Sequence, residues 1–420
     1  MAFGAQSIPG LQGRVLGGTS ALNGLATLRG LPEDYDGWAS AGLDGWAWND
    51  VLDTFIRAER DRDFPGSPIH GSTGPLAVRR WTPDQLSHAA RMFEDALVEI
   101  GERTVSDIND TDQLPGVGVF PVTVDDEGRR LSVSLAYLSD DVRGRDNLTI
   151  RTGAEVERVQ IEDGRAVGVV LASGAEIAAD VVVVTAGALY TPEILLRSGV
   201  GPASQLAEHG IDPHADLPVG STMSDHLGPG LLYTHAGERG GAAGPAQIVY
   251  CGASNGVDVD YHLFPVCPPP VDGDTTFLMG VLLLRSSGDG SVRLSDTRGR
   301  PDVVAPPLPA DGLERLRHAF DRVAAWERTA AYERLGAQRA MPLDPDAPDA
   351  VQQALDVLTI SYGHMVGTCP MGPVLDADCR VHGIDGLRVA DASVMPTIPS
   401  GNTYLGTVMV AERIAAKMRA

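Results

Sequence analysis

His364 is the residue of this sequence whose type and setting best suit proton transfer. It opens the segment His-Met-Val-Gly-Thr-Cys-Pro-Met-Gly at 364–372. A neutral imidazole near its ordinary pKa accepts a proton at neutral pH, so His364 is a candidate general base. The alternative is a structural histidine held by hydrogen bonds. The other nine histidines lack such a setting, and we expect surface or structural roles for them, including His209, His214, His226 and His235.

Lysine and cysteine usage excludes several other chemistries. Lys417 is the only lysine among 420 residues, so the chain offers no P-loop lysine and no internal lysine for a Schiff base. The cysteines form no C-x-x-C pair and indicate neither a disulfide framework nor a zinc site. The cysteines therefore favour a reducing compartment. The four are Cys251, Cys267, Cys369 and Cys379.

Net charge and apolar run lengths restrict the partners and the location. The chain has 33 Lys+Arg against 56 Asp+Glu, which gives a formal charge of -23. Such a surface repels nucleic acids and anionic lipid headgroups. The longest apolar runs are far too short for a membrane span, and we see no signal segment at the start. We therefore expect a cytoplasmic protein with no nucleic-acid partner and no membrane span.

The middle of the chain predicts a β-meander that leads into a buried strand. An Asp163-Gly164 turn lies between alternating apolar runs, which is a strong hairpin signal. The runs lie at 148–151, 156–161, 166–171 and 176–177. The β-branched run that follows, at 180–188, is typical of a strand buried on both faces of a parallel sheet.

Three helices are predicted around these strands. Thr191 as N-cap, Pro192 at the first position and Gly199 at the end frame one helix. A strand that ends in Ala-Gly-Ala and feeds a helix is half of a dinucleotide-binding arrangement. A capping box at 82–85 predicts the start of a second helix. A strand at 387–390 and an apolar helix at 404–418 offer a further place for a cofactor.

Four segments together resemble the signatures of the glucose–methanol–choline (GMC) family of flavin oxidoreductases. They are Gly-Arg-Val-Leu-Gly-Gly-Thr-Ser-Ala-Leu-Asn at 13–23 with its continuation to 38, Gly-Ala-Leu-Tyr-Thr-Pro-Glu-Ile-Leu-Leu-Arg-Ser-Gly-Val-Gly at 187–201, the segment 364–372, and the stretch 381–403. The segments occur in the family's order and cover nearly the whole chain. The resemblance implies an α/β fold with a Rossmann-like FAD-binding domain and a substrate domain built from an antiparallel sheet and helices.

The resemblance also implies an activity and a catalytic pair. The protein would be an FAD-dependent alcohol oxidase or dehydrogenase, with His364 as base for a CH–OH donor. Asn402 takes the partner position, where an amide can donate a hydrogen bond to a developing alkoxide. Asn402 could instead cap the last helix, since asparagine is a favoured N-cap residue.

By the same resemblance, thirteen positions are expected to contact FAD. Paired glycines let the backbone approach a flavin ring, and Thr19 and Asn23 could bind its polar edge; Gly17 and Gly18 could otherwise be a simple tight turn. The expected positions are Gly17, Gly18, Thr19, Asn23, Gly24, Ala26, Val156, Ala186, Gly187, Asp391, Ala392, Asn402 and Thr403. No metal site is expected.

The resemblance places the domain boundaries in a discontinuous pattern. We expect an FAD-binding domain from 1–35, 147–226 and 379–420, and a substrate-binding domain from 36–146 and 227–378. The active site would lie between them, at the carboxyl ends of the flavin-domain strands.

The sequence departs from the family pattern at its start. Only sixteen residues precede Gly17, whereas a βαβ unit with the phosphate-binding G-x-G-x-x-G takes about thirty or more. We therefore expect an N-terminally truncated FAD domain, weak FAD binding by the chain alone, and a partner segment supplied separately or by an earlier start. Met365 and the loop 220–226 also differ from the pattern.

Three functions stay open on the sequence. The first is an alcohol oxidoreductase with oxygen or a redox carrier as electron acceptor. The second is a flavin-free relative that acts as a binding or scaffold protein. The third is a hydroxynitrile-lyase-like enzyme, in which the same histidine acts while the flavin takes no part in redox chemistry.

Overall fold

A computed structural model describes residues 1–3, 6–8, 10–236, 240–241, 243–267 and 275–419. Its helices are α1 (Pro32–Ser40), α2 (Trp48–Ala58), α3 (His88–Glu99), α4 (Val133–Tyr137), α5 (Asp140–Arg143), α6 (Gly187–Arg197), α7 (Ala203–Glu208), α8 (Gly312–Trp326), α9 (Ala330–Leu335), α10 (Ala350–Val357) and α11 (Thr403–Arg419). In the described part of the chain, no helix is both long and apolar enough to cross a bilayer.

The strands occur in runs between these helices, and the longest run is β11 to β16, which precedes α8. They are β1 (Ala2–Phe3), β2 (Gln6–Ser7), β3 (Glu59–Asp61), β4 (Leu76–Arg80), β5 (Gly116–Val119), β6 (Pro121–Thr123), β7 (Val156–Glu162), β8 (Arg165–Leu171), β9 (Glu176–Ala178), β10 (Val182–Val184), β11 (Leu227–Thr234), β12 (Ile248–Gly252), β13 (Tyr261–Val266), β14 (Thr276–Leu283), β15 (Ser291–Arg293), β16 (Asp302–Val304), β17 (Gln338–Arg339), β18 (Thr359–Ser361) and β19 (Leu387–Val389).

The largest sheet is antiparallel, in the order β17-β11-β14-β13-β12-β5, and β18 also pairs with β11. Most of its strands fall within 227–378, one of the two ranges expected for the substrate-binding domain. Helices α3, α8, α9 and α10 contribute side chains to the same hydrophobic core, including Phe93 and Trp326. We call this the sheet core; it also contains Cys251 and Cys267.

A second core surrounds a parallel strand pair. Strand β10 pairs in parallel with β19, Val182 with Leu387 and Val184 with Val389. Paired residues of the two strands lie 205 positions apart along the chain, and both strands place valines in the core because neighbouring elements cover them. We call this the parallel-strand core; it also contains Cys369 and Cys379. All four cysteines of the chain are buried thiols.

The predicted meander forms as β7, β8 and β9, with antiparallel pairing around the Asp163-Gly164 turn. The apolar run at 148–151 is not a strand in the structure, so that part of the prediction was wrong. The predicted helix beginning near Thr82 also starts later. Thr82 instead forms a turn with Gln85, and Ser87 caps α3 by accepting the Ala90 N–H.

Helix α6 begins earlier than predicted, at Gly187, with Ala186 as its N-cap. Pro192 therefore lies inside the helix, and Gly199 follows its end at a φ of 75°. The hydroxyl of Thr191 donates a hydrogen bond to the carboxylate of Asp391. The prediction that Thr191 is the N-cap was wrong, because its side chain bonds a residue distant in sequence instead of the start of the helix.

A cluster of six buried ionisable residues joins β3 and β4 to the first signature segment. Its cations are Arg29, His70 and Arg80, and its anions are Glu59, Asp61 and Asp107. Arg29 bonds Glu59 at 2.5 Å, Arg80 bonds Asp61 at 2.8 Å, and His70 Nε2 lies 2.7 Å from Asp107. Burial disfavours a charged imidazole, but hydrogen bonds to Asp107 and Glu59 outweigh it and raise the pKa of His70 to about 9. Protonated His70 balances the cluster at three charges of each sign.

Candidate active site

His364 lies at the centre of a buried polar site just after β18. Its Nε2 is 3.1 Å from Asn402 Nδ2, and its Nδ1 is 2.9 Å from Nδ1 of His226. All three residues are buried. The structure therefore brings together the two residues that the sequence analysis expected to act as a pair, which lie 38 positions apart.

One carboxylate holds the backbone around both histidines. Asp225 Oδ1 accepts the backbone N–H of His364 at 2.9 Å and that of His226 at 2.8 Å. Its second oxygen accepts the hydroxyl of Ser361. Burial raises the pKa of Asp225 to about 6, although these hydrogen bonds act in the opposite direction. The loop before β11 and the loop after β18 are thus fixed to each other.

A second carboxylate holds the loop that carries Asn402. Asp34, in the first turn of α1, accepts the Ser400 backbone N–H at 2.6 Å and its hydroxyl at 2.9 Å. Trp38 of the same helix donates its indole N–H to Thr397 at 2.8 Å. The first signature segment therefore positions the last one.

The side-chain oxygen of Asn402 has a distinctive environment. It is buried, yet it has no hydrogen-bond partner in the described structure. The oxygen therefore does not cap α11, and the helix-cap alternative for this residue is not supported. A buried unpaired amide oxygen is costly, and it is free to accept a hydrogen bond from a group that enters the site.

Burial sets the protonation state of the site histidines. Desolvation, followed by the neighbouring His226 and His262, holds the pKa of His364 well below its usual value. Burial lowers the pKa of His226 and of His262 to about 3. All three imidazoles are neutral at neutral pH, so His364 has a lone pair with which to take a proton.

Aromatic rings form one wall of the site. Tyr362 stacks on His364 with ring centroids 4.2 Å apart and on Phe264 at 4.8 Å. The Tyr362 hydroxyl is 3.5 Å from His262 Nδ1, whose other nitrogen lies 3.4 Å from the Cys251 sulfur. Burial raises the pKa of Tyr362 well above its usual value, so the phenol stays neutral. The ring faces of this wall are apolar, and its polar groups carry no charge.

The expected cofactor positions of the first signature form a tight turn. Gly17 and Gly18 have φ of 92° and 54°, conformations that favour glycine, and Gly18 opens a short 3-10 helix. Thr19 Oγ1 accepts the Gly13 N–H at 3.2 Å and contacts Gln12 at 3.2 Å. Among the described residues, and apart from its two chain neighbours, no atom lies within 4 Å of where a Gly18 side chain would begin. Gly17 and Gly18 therefore do form a tight turn, and the Gly18 side of this turn is open to a ligand.

The expected positions of the second and last signatures meet at Asp391. Its carboxylate accepts the Gly187 N–H at 2.8 Å and the Thr191 hydroxyl at 2.5 Å. It also accepts the N–H and hydroxyl of Ser393 at 2.8 and 2.5 Å. Asp391 therefore joins the end of β19 to the start of α6. Because its oxygens are occupied by protein groups, only its backbone and Ala392 remain to meet a cofactor.

The other expected positions are more scattered. Asn23 accepts from Arg130 at 2.8 Å and from the Leu25 N–H at 3.2 Å, so its amide oxygen is engaged within the protein. Gly24 is exposed, and Ala26 is buried and bridges Val122. Val156 begins β7 and Thr403 begins α11.

Sequence reasoning missed four residues of the site. His226 was expected to be structural or at the surface, but it contacts the candidate base directly. Asp225, Tyr362 and His262 were not singled out. The available signal was weak: an Asp-His pair directly before the apolar run of β11, in the loop 220–226 that departs from the family pattern.

Comparisons with known proteins all indicate the same family. Two family models described as GMC oxidoreductase match residues 4–228 and 286–411. A 5-(hydroxymethyl)furfural oxidase of Methylovorus sp. is 35% identical over 96% of this chain and 82% of its own length. An oxygen-dependent choline dehydrogenase of Burkholderia ambifaria is 33% identical over 97% of this chain and 80% of its own length.

Solved structures give the same result for the fold. Pyridoxine 4-oxidase from Mesorbium loti superimposes with a TM-score of 0.88 and 28% identity, and the match covers 97% of this chain and 84% of that one. Formate oxidase from Aspergillus oryzae reaches a TM-score of 0.84 at 23% identity, which supports the fold alone.

Proposed function

Because this chain belongs to the GMC oxidoreductases, a family of FAD-dependent enzymes that oxidise alcohols, we propose that it oxidises the hydroxymethyl group of uncharged aromatic alcohols, with His364 as the base. The observation that carries the proposal is the buried, neutral His364, with Nε2 facing the amide of Asn402 at 3.1 Å.

The residues present fit the cofactor of the family. The open side of the Gly17-Gly18 turn allows close backbone approach, and the unpaired oxygen of Asn402 offers an acceptor to a bound group. Thr19, Gly187 and Ala392 are the further positions we propose to hold it. When bound, FAD supplies an acceptor for the hydride of the carbinol carbon.

His364 and Asn402 divide the proton chemistry between them. Nε2 of His364 takes the hydroxyl proton of the alcohol, while the amide N–H of Asn402 donates to the oxygen as negative charge develops there. Loss of that proton and of the hydride leaves the carbonyl product. The deep burial of both side chains excludes water and strengthens these interactions.

The aromatic wall supports an uncharged aromatic substrate. The face of Tyr362, stacked with Phe264, offers a flat apolar surface on which a ring can pack. Asp225, the carboxylate that contacts the backbone of His364, has its oxygens directed at backbone N–H groups and Ser361 rather than at a ligand. A relative named for 5-(hydroxymethyl)furfural, an aromatic compound with a hydroxymethyl group, supports the same substrate class.

Absorption spectroscopy tests the proposal. The purified protein is loaded with FAD, made anaerobic and mixed with benzyl alcohol, with 5-(hydroxymethyl)furfural and with choline in parallel. We expect the two aromatic alcohols to bleach the flavin band and to yield aldehydes faster than choline does. A protein that binds FAD but is bleached by none of the three contradicts the proposal, and cyanohydrin cleavage without bleaching would instead indicate a lyase.

A further inference from the structure

The contact between His226 and His364 requires one hydrogen between two nitrogens. Their Nδ1 atoms are 2.9 Å apart, a hydrogen-bond distance. Burial keeps both rings neutral, so each carries a single N–H, on either Nδ1 or Nε2. One ring must donate and the other must accept, and the choice decides which nitrogen of His364 is left as a base.

The far side of His364 indicates where its hydrogen lies. Its Nε2 faces the amide nitrogen of Asn402 at 3.1 Å, and an amide NH₂ can only donate. Nε2 of His364 therefore accepts, and its hydrogen is on Nδ1.

The surroundings of His226 lead to the same arrangement. With the hydrogen of His364 on Nδ1, the facing Nδ1 of His226 at 2.9 Å must accept it. Burial is the main influence on the pKa of His226 and lowers it, while weaker contacts with the backbone carbonyls of Leu284 and Pro399 favour a bound proton. Carbonyl oxygens accept only. Because Nδ1 faces His364, the hydrogen of His226 belongs on Nε2, and its Nδ1 offers a lone pair.

We infer that His226 is a positioning residue that selects the reactive tautomer of His364, accepting its Nδ1–H and leaving the Nε2 lone pair toward the alcohol. The inference rests on the proposed function of His364. When His364 takes a proton on Nε2, the Nδ1–H continues to bond to His226, so the new positive charge keeps an acceptor within the buried site. Asp225 supports the geometry because it holds the backbone N–H of both histidines.

Substitutions at His226 separate acceptance from packing. His226→Asn places an amide oxygen near the position of Nδ1 and keeps an acceptor, whereas His226→Leu removes it. His262→Leu is the matched control, because His262 is equally buried and neutral but contacts Tyr362 and Cys251 instead of a nitrogen of His364.

Nuclear magnetic resonance reads the tautomer directly, without FAD. In protein labelled with ¹⁵N-histidine, long-range ¹H–¹⁵N spectra distinguish Nδ1–H from Nε2–H, and the signals lost in His364→Gln identify His364. We expect Nδ1–H in the wild type, in His226→Asn and in His262→Leu, and a mixture of tautomers in His226→Leu. Nε2–H in the wild type, or pure Nδ1–H in a folded His226→Leu, overturns the inference.

Kinetics on the FAD-loaded enzyme provide the second readout. We expect His226→Leu to slow flavin reduction by about 10²- to 10⁴-fold, because a catalytic histidine that loses its tautomer-fixing partner can lose as much as about 10⁴-fold in rate, with His226→Asn restoring most of the rate. Equal damage in both folded variants contradicts the inference. If the spectra show Nδ1–H while no alcohol reduces the flavin, the proposed function fails but tautomer selection stands.

Discussion

The two ring nitrogens of His364 have different partners, and each partner sets one property of the base. Asn402 faces the nitrogen that would receive the proton, and His226 faces the nitrogen that would keep one. Burial removes the third variable, the charge, by holding the pKa well below its usual value. A base of this kind stays deprotonated across the neutral range and is ready before any substrate arrives.

Replacement of His364 by alanine tests the base itself. We expect His364→Ala to fold and to bind FAD as the wild type does, but to reduce it about 10²- to 10⁴-fold more slowly with alcohol, the usual contribution of a positioned base. Stopped-flow absorbance measures the rate. The matched control is His209→Ala, at the end of α7 beside Asp296, which should leave the rate unchanged. An unchanged rate in His364→Ala would show that another group takes the proton.

Two substitutions at Asn402 test the donor. Asn402→Ala removes the amide N–H, and we expect flavin reduction to slow by about 10- to 10³-fold, because one donor to a developing oxyanion contributes about 2.7–4 kcal/mol at most. Asn402→His keeps an N–H donor and should be damaged less. Comparable losses in both variants, with folding intact by circular dichroism, would exclude donation by this residue.

The sequence singled out His364 and Asn402 because each lies in a signature segment, and the structure places the two side chains 3.1 Å apart, but the sequence did not single out His226. A histidine that acts through another ring carries no spacing pattern, since its partner lies 138 positions away. The contact depends on β11 and β18 pairing side by side, which brings the residues before one strand next to those after the other.

At the scale of elements, α1 acts as a clamp on the loop 397–402. The Asp34 carboxylate accepts two hydrogen bonds from Ser400, and burial raises its pKa to about 6 despite them. Helix α1 itself starts at a proline, and the Asp34 side chain in its first turn also accepts the backbone N–H of the N-cap residue. Both features favour helix initiation. The amide of Asn402, the proposed donor, is thus held in position by a helix near the other end of the chain.

Asp34→Asn tests the clamp. The new amide can present only one acceptor oxygen, which leaves a buried donor of Ser400 without a partner, a loss of about 1–3 kcal/mol. We expect a lower free energy of unfolding in urea and a lower flavin reduction rate. Glu33→Gln, an exposed neighbour on the same helix, is the matched control and should change neither. A stable Asp34→Asn variant with the wild-type rate would mean that the loop holds itself.

Element boundaries were harder to predict than element types. The meander was found because its Asp-Gly turn and alternating runs are local signals. The helix predicted to begin at Pro192 begins five residues earlier, at Gly187, and the Thr191 hydroxyl bonds Asp391, which lies 200 positions away. Local capping patterns cannot reveal a partner of that kind, and the same limit applies to Thr82, whose turn ends before the true cap at Ser87.

At the scale of the whole molecule, the buried ionic cluster makes stability depend on pH. The pKa of His70 is raised to about 9 in the folded state from about 6.5 in the unfolded chain. A raised pKa contributes stability that is complete below pH 6.5 and is lost as the pH rises through 9. The shift corresponds to up to about 3 kcal/mol.

Urea denaturation between pH 6 and pH 9.5 measures this contribution. We expect the free energy of unfolding of the wild type to fall across that range and His70→Gln to show a much flatter dependence, though it starts from a lower value. His382→Gln, at an exposed histidine, should keep the wild-type slope. Parallel slopes for the wild type and His70→Gln would show that His70 is not the titrating group.

The four signature segments predicted the fold class, but they did not predict how the two cores pack around the site. Parallel pairing of β10 with β19 could be expected from two apolar strands, each followed by a helix. The placement of the antiparallel sheet against His364, through Tyr362 and Phe264, depends on tertiary packing that no local pattern encodes.

Each hydrophobic core contains two of the buried cysteines, and this gives the chain a built-in reporter of folding order. Burial raises the pKa of Cys251 and Cys369 well above the usual value and that of Cys379 to about 12, so native thiols should resist alkylation. In the sheet core, β12 with Cys251 pairs with the next strand β13, and β13 pairs with β14, so this part can form from contacts that are near in sequence, while the parallel-strand core must first close a loop of about two hundred residues. Because long closures are slow, pulse labelling during refolding should find Cys251 and Cys267 protected before Cys369 and Cys379.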